Sequence, residues 1–433
     1  MYRVWNFVER YSILLIAGAA VALIWANVAP QSYHALVDYP LWFNDFVGTD
    51  AYRWMTAHGA AHGIEAIGDV RRVLTPHVLV NDVLMALFFA SAGKEVWEAV
   101  ILKNGALRGR KAATPLVATA GGMLGPVAVY LGLAAILGSD LYDAVAHGWA
   151  IPTATDIAFS YLVGRLVFGA GHPAVRFLLL LAIADDAGGL IVLALFYPTG
   201  TLAPAWLLLS LGAALGVFGL ANWLPRRLDR GHPLRPCSTW TRRRLGAWPY
   251  VIAGAVSWYG FQQSGVHPAL GLLPIIPAIP HEERAFGLFA EAEQYLTDLL
   301  NRMQQALRYP VEAVLFLFGL MNAGVEVTAV GAPTWPVLAG LLLGKPLGIL
   351  AFGWLAARPL RLGLPAGMGA ADLFVIGCAA AIGFTVALFV TSVAFAPGAV
   401  QDAAKMGALF SFAAAPMALI AGRVLRIRRQ VRG

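Results

Sequence analysis

The chain has 433 residues, 59% of them hydrophobic and only 13% charged. An average soluble domain is roughly 25% charged, so most of this surface needs lipid rather than water around it. The net charge is +7, but the basic residues fall in short gaps between apolar runs, where they act as topology signals, and no nucleic-acid partner is expected.

The first apolar run, 11–30, has the roughly 20 residues that cross a hydrocarbon core as a helix. It lacks a small-residue cleavage site, so no cleavable signal peptide is expected. Residues 31–77 follow as an extracytoplasmic loop with a short helix, holding His58, His62, Glu65 and Asp69. Eleven more apolar segments come after it, at about 78–102, 114–137, 148–169, 174–197, 202–224, 246–263, 267–280, 309–326, 335–356, 371–397 and 403–425. The eighth span is short and carries Pro268, Pro274, Pro277 and Pro280, which predicts a broken helix. Residues 283–308 read as a cytoplasmic amphipathic segment with Phe286, Leu288, Phe289, Leu296, Leu299, Leu300 and Met303 toward one side. The runs lack the period-2 alternation of barrel strands. The fold class is therefore an all-α polytopic membrane protein of about twelve transmembrane helices, forming one domain over 1–433.

Orientation follows from Lys and Arg. With the N-terminus in the cytoplasm, 25 of the 31 basic residues lie on the inner side and four, Arg53, Arg71, Arg72 and Lys405, on the outer side. Lys94 and Lys345 lie inside spans. This asymmetry predicts that both termini are cytoplasmic. The two cysteines, Cys237 and Cys378, give neither a disulfide framework nor a metal-ligand spacing.

Ionisable residues in the middle of a span cost several kcal/mol and call for an explanation. Asp185 and Asp186 sit mid-span in LLLLAIADDAGGLIVLALFY, Asp156 in AIPTATDIAFS and Lys345 in LLLGKPLGI. Their depths match, which predicts one polar cluster near the midplane. Adjacent helical residues point about 100° apart, so the two aspartates need not share a partner. One Asp–Lys pair could serve helix packing alone, but that leaves two acids over. Such carboxylates can take up and release protons, and their oxygens are hard ligands suited to Na⁺ or Li⁺. One site could then hold either cation or protons, which is the physical basis of exchange.

The fourth span carries Pro152, Thr153, Thr155 and Asp156, and the eleventh carries Gly383 and Thr385 in IGFTVALF. Both are expected to be interrupted, freeing carbonyls at the site. Spans 3–5 start from the inside and spans 10–12 from the outside, with the interrupted helix second in each triplet. That is the arrangement of inverted repeats with two crossing helices.

The stretches NDVLMALFFASAGKEV (81–96), GWAIPTATDIAFS (148–160), LLLLAIADDAGGLIVLALFY (178–197), SGVH (264–267), NAGV (322–325), LLLGKPLGI (341–349) and IGFTVALF (382–389) occur together and in order. In this the chain resembles the NhaA-type sodium/proton antiporters of bacterial inner membranes. The resemblance implies a transporter rather than an enzyme, without a cofactor, that exchanges protons for Na⁺ or Li⁺ electrogenically and is commonly a homodimer. It implies that Asp186 is the principal ion-binding carboxylate, that Asp185 contributes to the Na⁺ site and pairs with Lys345, and that Asp156, with Thr155 nearby, lies beside the helix crossing.

The chain departs from the family at three places. Glu95 matches the charged cluster associated with pH regulation and Glu98 lies beside it, but Trp97 and Ala99 replace charged positions. The stretch after SGVH is unusually rich in proline, and the loop 31–77 shows no clear strand hairpin of the kind that dimerises some relatives. Another ion-coupled transporter on this fold is one alternative. An intramembrane aspartyl protease is a remoter one, since ADDAGG lacks a Gly-x-Gly-Asp, and no carbonyl-ring filter motif suggests a channel. His267, at the start of the eighth span, is expected to serve the helix end or packing in preference to pH sensing.

Overall fold

The computed structural model describes residues 2–57, 71–102, 105–109, 112–230, 232, 236–281 and 298–430. The chain is mostly helical. In order it forms α1 (Tyr2–Val28), α2 (Pro30–Val37), β1 (Trp42–Asn44), β2 (Thr49–Asp50), α3 (Ala51–Ala57), β3 (Arg72–Leu74), α4 (Pro76–Val100), α5 (Ala113–Leu137) and α6 (Ser139–Val145). Next come α7 (Ile157–Phe168), α8 (Pro173–Phe196), α9 (Pro204–Leu228), α10 (Pro236–Arg244), α11 (Trp248–Ser264) and α12 (Pro268–Ala278). The chain closes with α13 (Leu299–Asn322), α14 (Thr334–Ala357), α15 (Ala370–Ala380), α16 (Thr385–Ala394) and α17 (Ala399–Val424).

Six of these, α4, α5, α8, α9, α14 and α17, are long and apolar enough to cross a membrane, and α15 with α16 forms a pair bent by 57° that makes a seventh. Their bounds fall close to the apolar segments of the sequence. The short eighth segment, α12, consists of two 3₁₀ pieces, Pro268–Leu270 and Leu273–Ala278, because its prolines remove the donors a regular helix needs.

Three expectations change. The loop 31–77 holds a small sheet of order β1-β3-β2. β1 and β2 do not pair with each other; Phe43 and Thr49 both pair with Val73 of β3. No hairpin is legible because the central strand arrives from later in the chain. His58, His62, Glu65 and Asp69 lie outside the described residues. Second, the amphipathic segment and the ninth span are not separate. Most of 283–308 lies outside the described residues, but α13 starts at Leu299, capped by Asp298, and runs unbroken through Pro310. Third, Lys405, expected in a segment on the outer side, is a buried residue within α17, which begins at Ala399.

Glycines let the helices approach closely, as small residues do in membrane interfaces. A Cβ on Gly125 of α5 would sit 2.8 Å from the Cα of Gly348 in α14, and one on Gly348 would collide with the Gly121 carbonyl. Lys345 lies one turn before Gly348, after a π-helical turn at Gly340–Gly344, so this contact sets where the lysine stands. Gly377 of α15 packs on the Cα of Pro346 in the same way, at 2.5 Å for a built Cβ.

Gly348→Val is expected to lower thermal stability by about 1–3 kcal/mol, the usual cost of overpacking. Gly132→Ala, on the same α5 with open space around it, is expected to leave stability unchanged or raise it. Thermal unfolding in detergent, followed by size exclusion, compares the two.

Candidate functional site

Two interrupted segments cross in the interior. In the first, a 3₁₀ turn at Ile151–Thr153 gives way to extended backbone at Ala154, and α7 starts only after Asp156. Pro152 within that turn favours the break. In the second, the chain unwinds between α15 and α16. The Asp156 N–H donates to the Ile382 carbonyl at 2.8 Å. A Cβ on Gly383 would lie 2.9 Å from the Ala154 carbonyl, so the crossing brings backbone onto backbone and position 383 has no room for a side chain.

The breaks leave four helix ends at one place. N-termini carry partial positive charge and C-termini partial negative charge. Asp156 serves both N-termini: its Oδ1 accepts from the Ala158 and Phe159 N–H groups at 3.1 and 3.3 Å, and its Oδ2 from the hydroxyl of Thr385, the first residue of α16, at 2.5 Å. Donors serve the C-termini. The Thr155 hydroxyl donates to the Ala380 carbonyl at 3.2 Å, and the Lys345 ammonium donates to the Thr153 carbonyl.

Lys345 Nζ also lies 3.0 Å from Asp185 Oδ2. Lys345 is 0% exposed and Asp185 3%, so this pair sits away from bulk solvent, where losing one member costs far more than at a surface. The other oxygen, Asp185 Oδ1, is buried and meets no donor in good hydrogen-bond geometry among the described residues, with the Thr155 hydroxyl as the interacting neighbour of this carboxyl group. Asp186 is half-buried and makes no hydrogen bond or ion pair among the described residues. It lies within electrostatic reach of Asp185, Asp156, Glu95 and Lys345. The site thus sets three carboxyl groups around one lysine amine.

The expected residues Asp156, Asp185, Asp186, Lys345, Thr155, Gly383 and Thr385 all fall within this arrangement. Glu95 and Glu98 separate. Glu95 acts on Asp186, whereas Glu98 pairs with buried Lys94 one turn earlier at 2.7 Å. His267 is buried and caps α12, its Nδ1 accepting from the Ala269 N–H at 3.3 Å, with its ring 4.9 Å from that of Phe389. Its Nε2 lies 3.9 Å from Asp82.

Asp82 and the pair Asn81–Asn322 were not singled out from the sequence. The two amides bond reciprocally at 3.0 and 2.9 Å and join α4 to α13. Both asparagines stand in motifs that carried the resemblance, which was the available signal.

The chain matches the family described as Na+/H+ antiporter 1 over residues 5–425. It is 67% identical to the Na(+)/H(+) antiporter NhaA of Jannaschia sp. (strain CCS1), covering 99% of this chain and 100% of that protein. It is 41% identical to the Na(+)/H(+) antiporter NhaA of Geobacter sulfurreducens over 98% of each chain. The Na(+)/H(+) antiporter NhaA 2 of Pelobacter propionicus is 40% identical, again over 98% of each.

Lys345→Gln leaves Asp185 buried without its counter-charge and is expected to cost about 3–5 kcal/mol of stability. Adding Asp185→Asn is expected to restore much of that loss. A double-mutant cycle on thermal unfolding in detergent measures the coupling; additive losses would mean the two side chains do not interact.

Proposed function

We propose that this chain, which belongs to the Na+/H+ antiporter 1 family, exchanges Na⁺ for H⁺ through competition at Asp186, Asp185 and Asp156. The observation that carries this reading is the division of labour at the crossing. Asp156 is held by the N-termini and Lys345 is held by Thr153 and Asp185, while Asp186 makes no hydrogen bond among the described residues and keeps both carboxyl oxygens as acceptors. Those oxygens can take a hard cation, and the same oxygens can take protons. A protonated carboxyl group presents less charge to a cation, so each ligand expels the other.

Lys345 takes the place of the cation on Asp185 when no cation is bound. Na⁺ entering the cluster competes for that oxygen, and the Thr153 carbonyl keeps the ammonium in place nearby. Binding therefore redistributes charge at a crossing made of bare backbone and half-helices. Such an element has the alternative packings that alternating access requires. Exposure of the loaded site switches from one side to the other, and protons arriving there discharge the cation. Li⁺, a smaller hard cation, is a second substrate, and the exchange is electrogenic.

In this scheme the chain spans the inner membrane twelve times with both termini in the cytoplasm, supported by the basic-residue asymmetry. The third to fifth and tenth to twelfth spans form inverted repeats around the crossing. The sheet in the loop 31–77 gives a homodimer an edge to pair along. Family membership leaves the aspartyl-protease alternative without support.

The test uses everted vesicles with a pH-sensitive dye and an imposed proton gradient. Asp186→Asn is expected to abolish Na⁺- and Li⁺-induced dequenching while the protein remains folded and in the membrane. Undiminished exchange by that variant would sink the assignment.

A further inference from the structure

Between α14, α15 and α17 the surface opens into a groove of about 830 Å³. Every residue lining it is apolar, including Leu350 of α14, Phe374 of α15, and Met417 and Ile420 of α17, with Leu425 at one end. Its volume falls in the range of roughly 300–1,000 Å³ that accommodates a drug-sized molecule. Helices read as membrane-spanning form its walls, so it faces acyl chains.

One end of the groove is strongly basic. Val424 and Leu425 line it there, between exposed Arg423 and exposed Arg426. Arg426 adopts a left-handed conformation, φ 52°, that ends the helical run of α17. Ala370 and Ala371, at the start of α15, also line the groove. The connection leading into them from α14 carries exposed Arg358 and Arg361. Residues 358–372 and 421–430 together hold six arginines and a single acid, Asp372. That acid is already engaged, its Oδ2 accepting from the Gly369 N–H at 2.7 Å to cap α15. Polar heads reaching this end meet positive charge, and the apolar walls continue from it.

We propose that this groove binds one anionic phospholipid, with an acyl chain along Phe374, Met417 and Ile420 and the phosphate at Arg423 and Arg426. A zwitterionic lipid satisfies the walls equally but carries no net charge to the arginines, so headgroup selectivity is the signature of the site. The position also has a consequence for the ion site. α14 carries Lys345 and α15 ends at Ala380 on the crossing, so a lipid wedged between them braces two elements that hold the charge pair and the interruption.

Native mass spectrometry of the full-length chain, with phosphatidylglycerol and phosphatidylcholine of identical acyl chains at equal concentration, tests this without reference to transport. The wild type is expected to retain phosphatidylglycerol preferentially. Arg423→Gln with Arg426→Gln is expected to lose roughly fivefold in that retention per arginine while keeping phosphatidylcholine retention unchanged. Ala371→Phe, which fills the groove, is expected to weaken retention of both lipids. Inorganic phosphate is expected to leave the melting temperature in detergent unmoved, whereas phosphatidylglycerol raises it. Equal retention of the two lipids by the wild type would overturn the proposal. So would undiminished phosphatidylglycerol binding in either variant, or equal protection by free phosphate.

Discussion

Interrupting a helix inside a membrane strands N–H and C=O groups where water cannot reach them, at several kcal/mol for each group left unsatisfied. This chain does so twice, and the two breaks are placed against each other. Asp156 satisfies donors from both N-termini, and Thr155 and Lys345 satisfy carbonyls at the two C-termini. Each charged group is thereby tied to backbone that would otherwise be orphaned. The remainder of the site depends on that tie, because it commits Asp156 and Lys345 and leaves Asp186 without a bonded partner among the described residues.

The helix packing serves the same end. Lys345 can reach both Thr153 and Asp185 only because α14 lies close against α5, and the glycines at 121, 125 and 348 permit that closeness. The π-helical turn at Gly340–Gly344 and the proline at 346 make the local helix irregular just where the lysine emerges. Wide helical turns of this kind are frequent at functional sites. The reciprocal Asn81–Asn322 bonds tie α4, which carries Glu95, to α13. Charge cluster and scaffold therefore share their contacts: the glycines that seat α14 on α5 also set where Lys345 stands against Asp185 of α8.

Much of this was legible in the sequence because membrane physics leaves few options. Apolar runs of about 20 residues with polar punctuation locate helices well, and α5 and α8 fall within a residue of their apolar segments. Mid-span charges announced the site, and Pro152 and Gly383 announced the breaks. What stayed hidden were choices that depend on distant partners. Spacing alone left open which aspartate takes the lysine, since Asp185 and Lys345 are 160 residues apart; the family resemblance supplied that pairing. The loop sheet was missed because β3 completes it from later in the chain, and Lys405 because a buried lysine near a helix start reads like a surface one. The ninth apolar run starts at 309, but α13 begins ten residues earlier at Leu299 and continues through Pro310.

Competition between Na⁺ and protons for the same carboxylates is most directly tested by proton release on cation binding. Purified protein in weakly buffered detergent solution, titrated with NaCl against a choline chloride control, is followed with a soluble pH indicator. The expected result is saturable release of protons with Na⁺ and with Li⁺, lost in Asp186→Asn. Saturable Na⁺ binding with no release of protons at any pH would contradict a shared site.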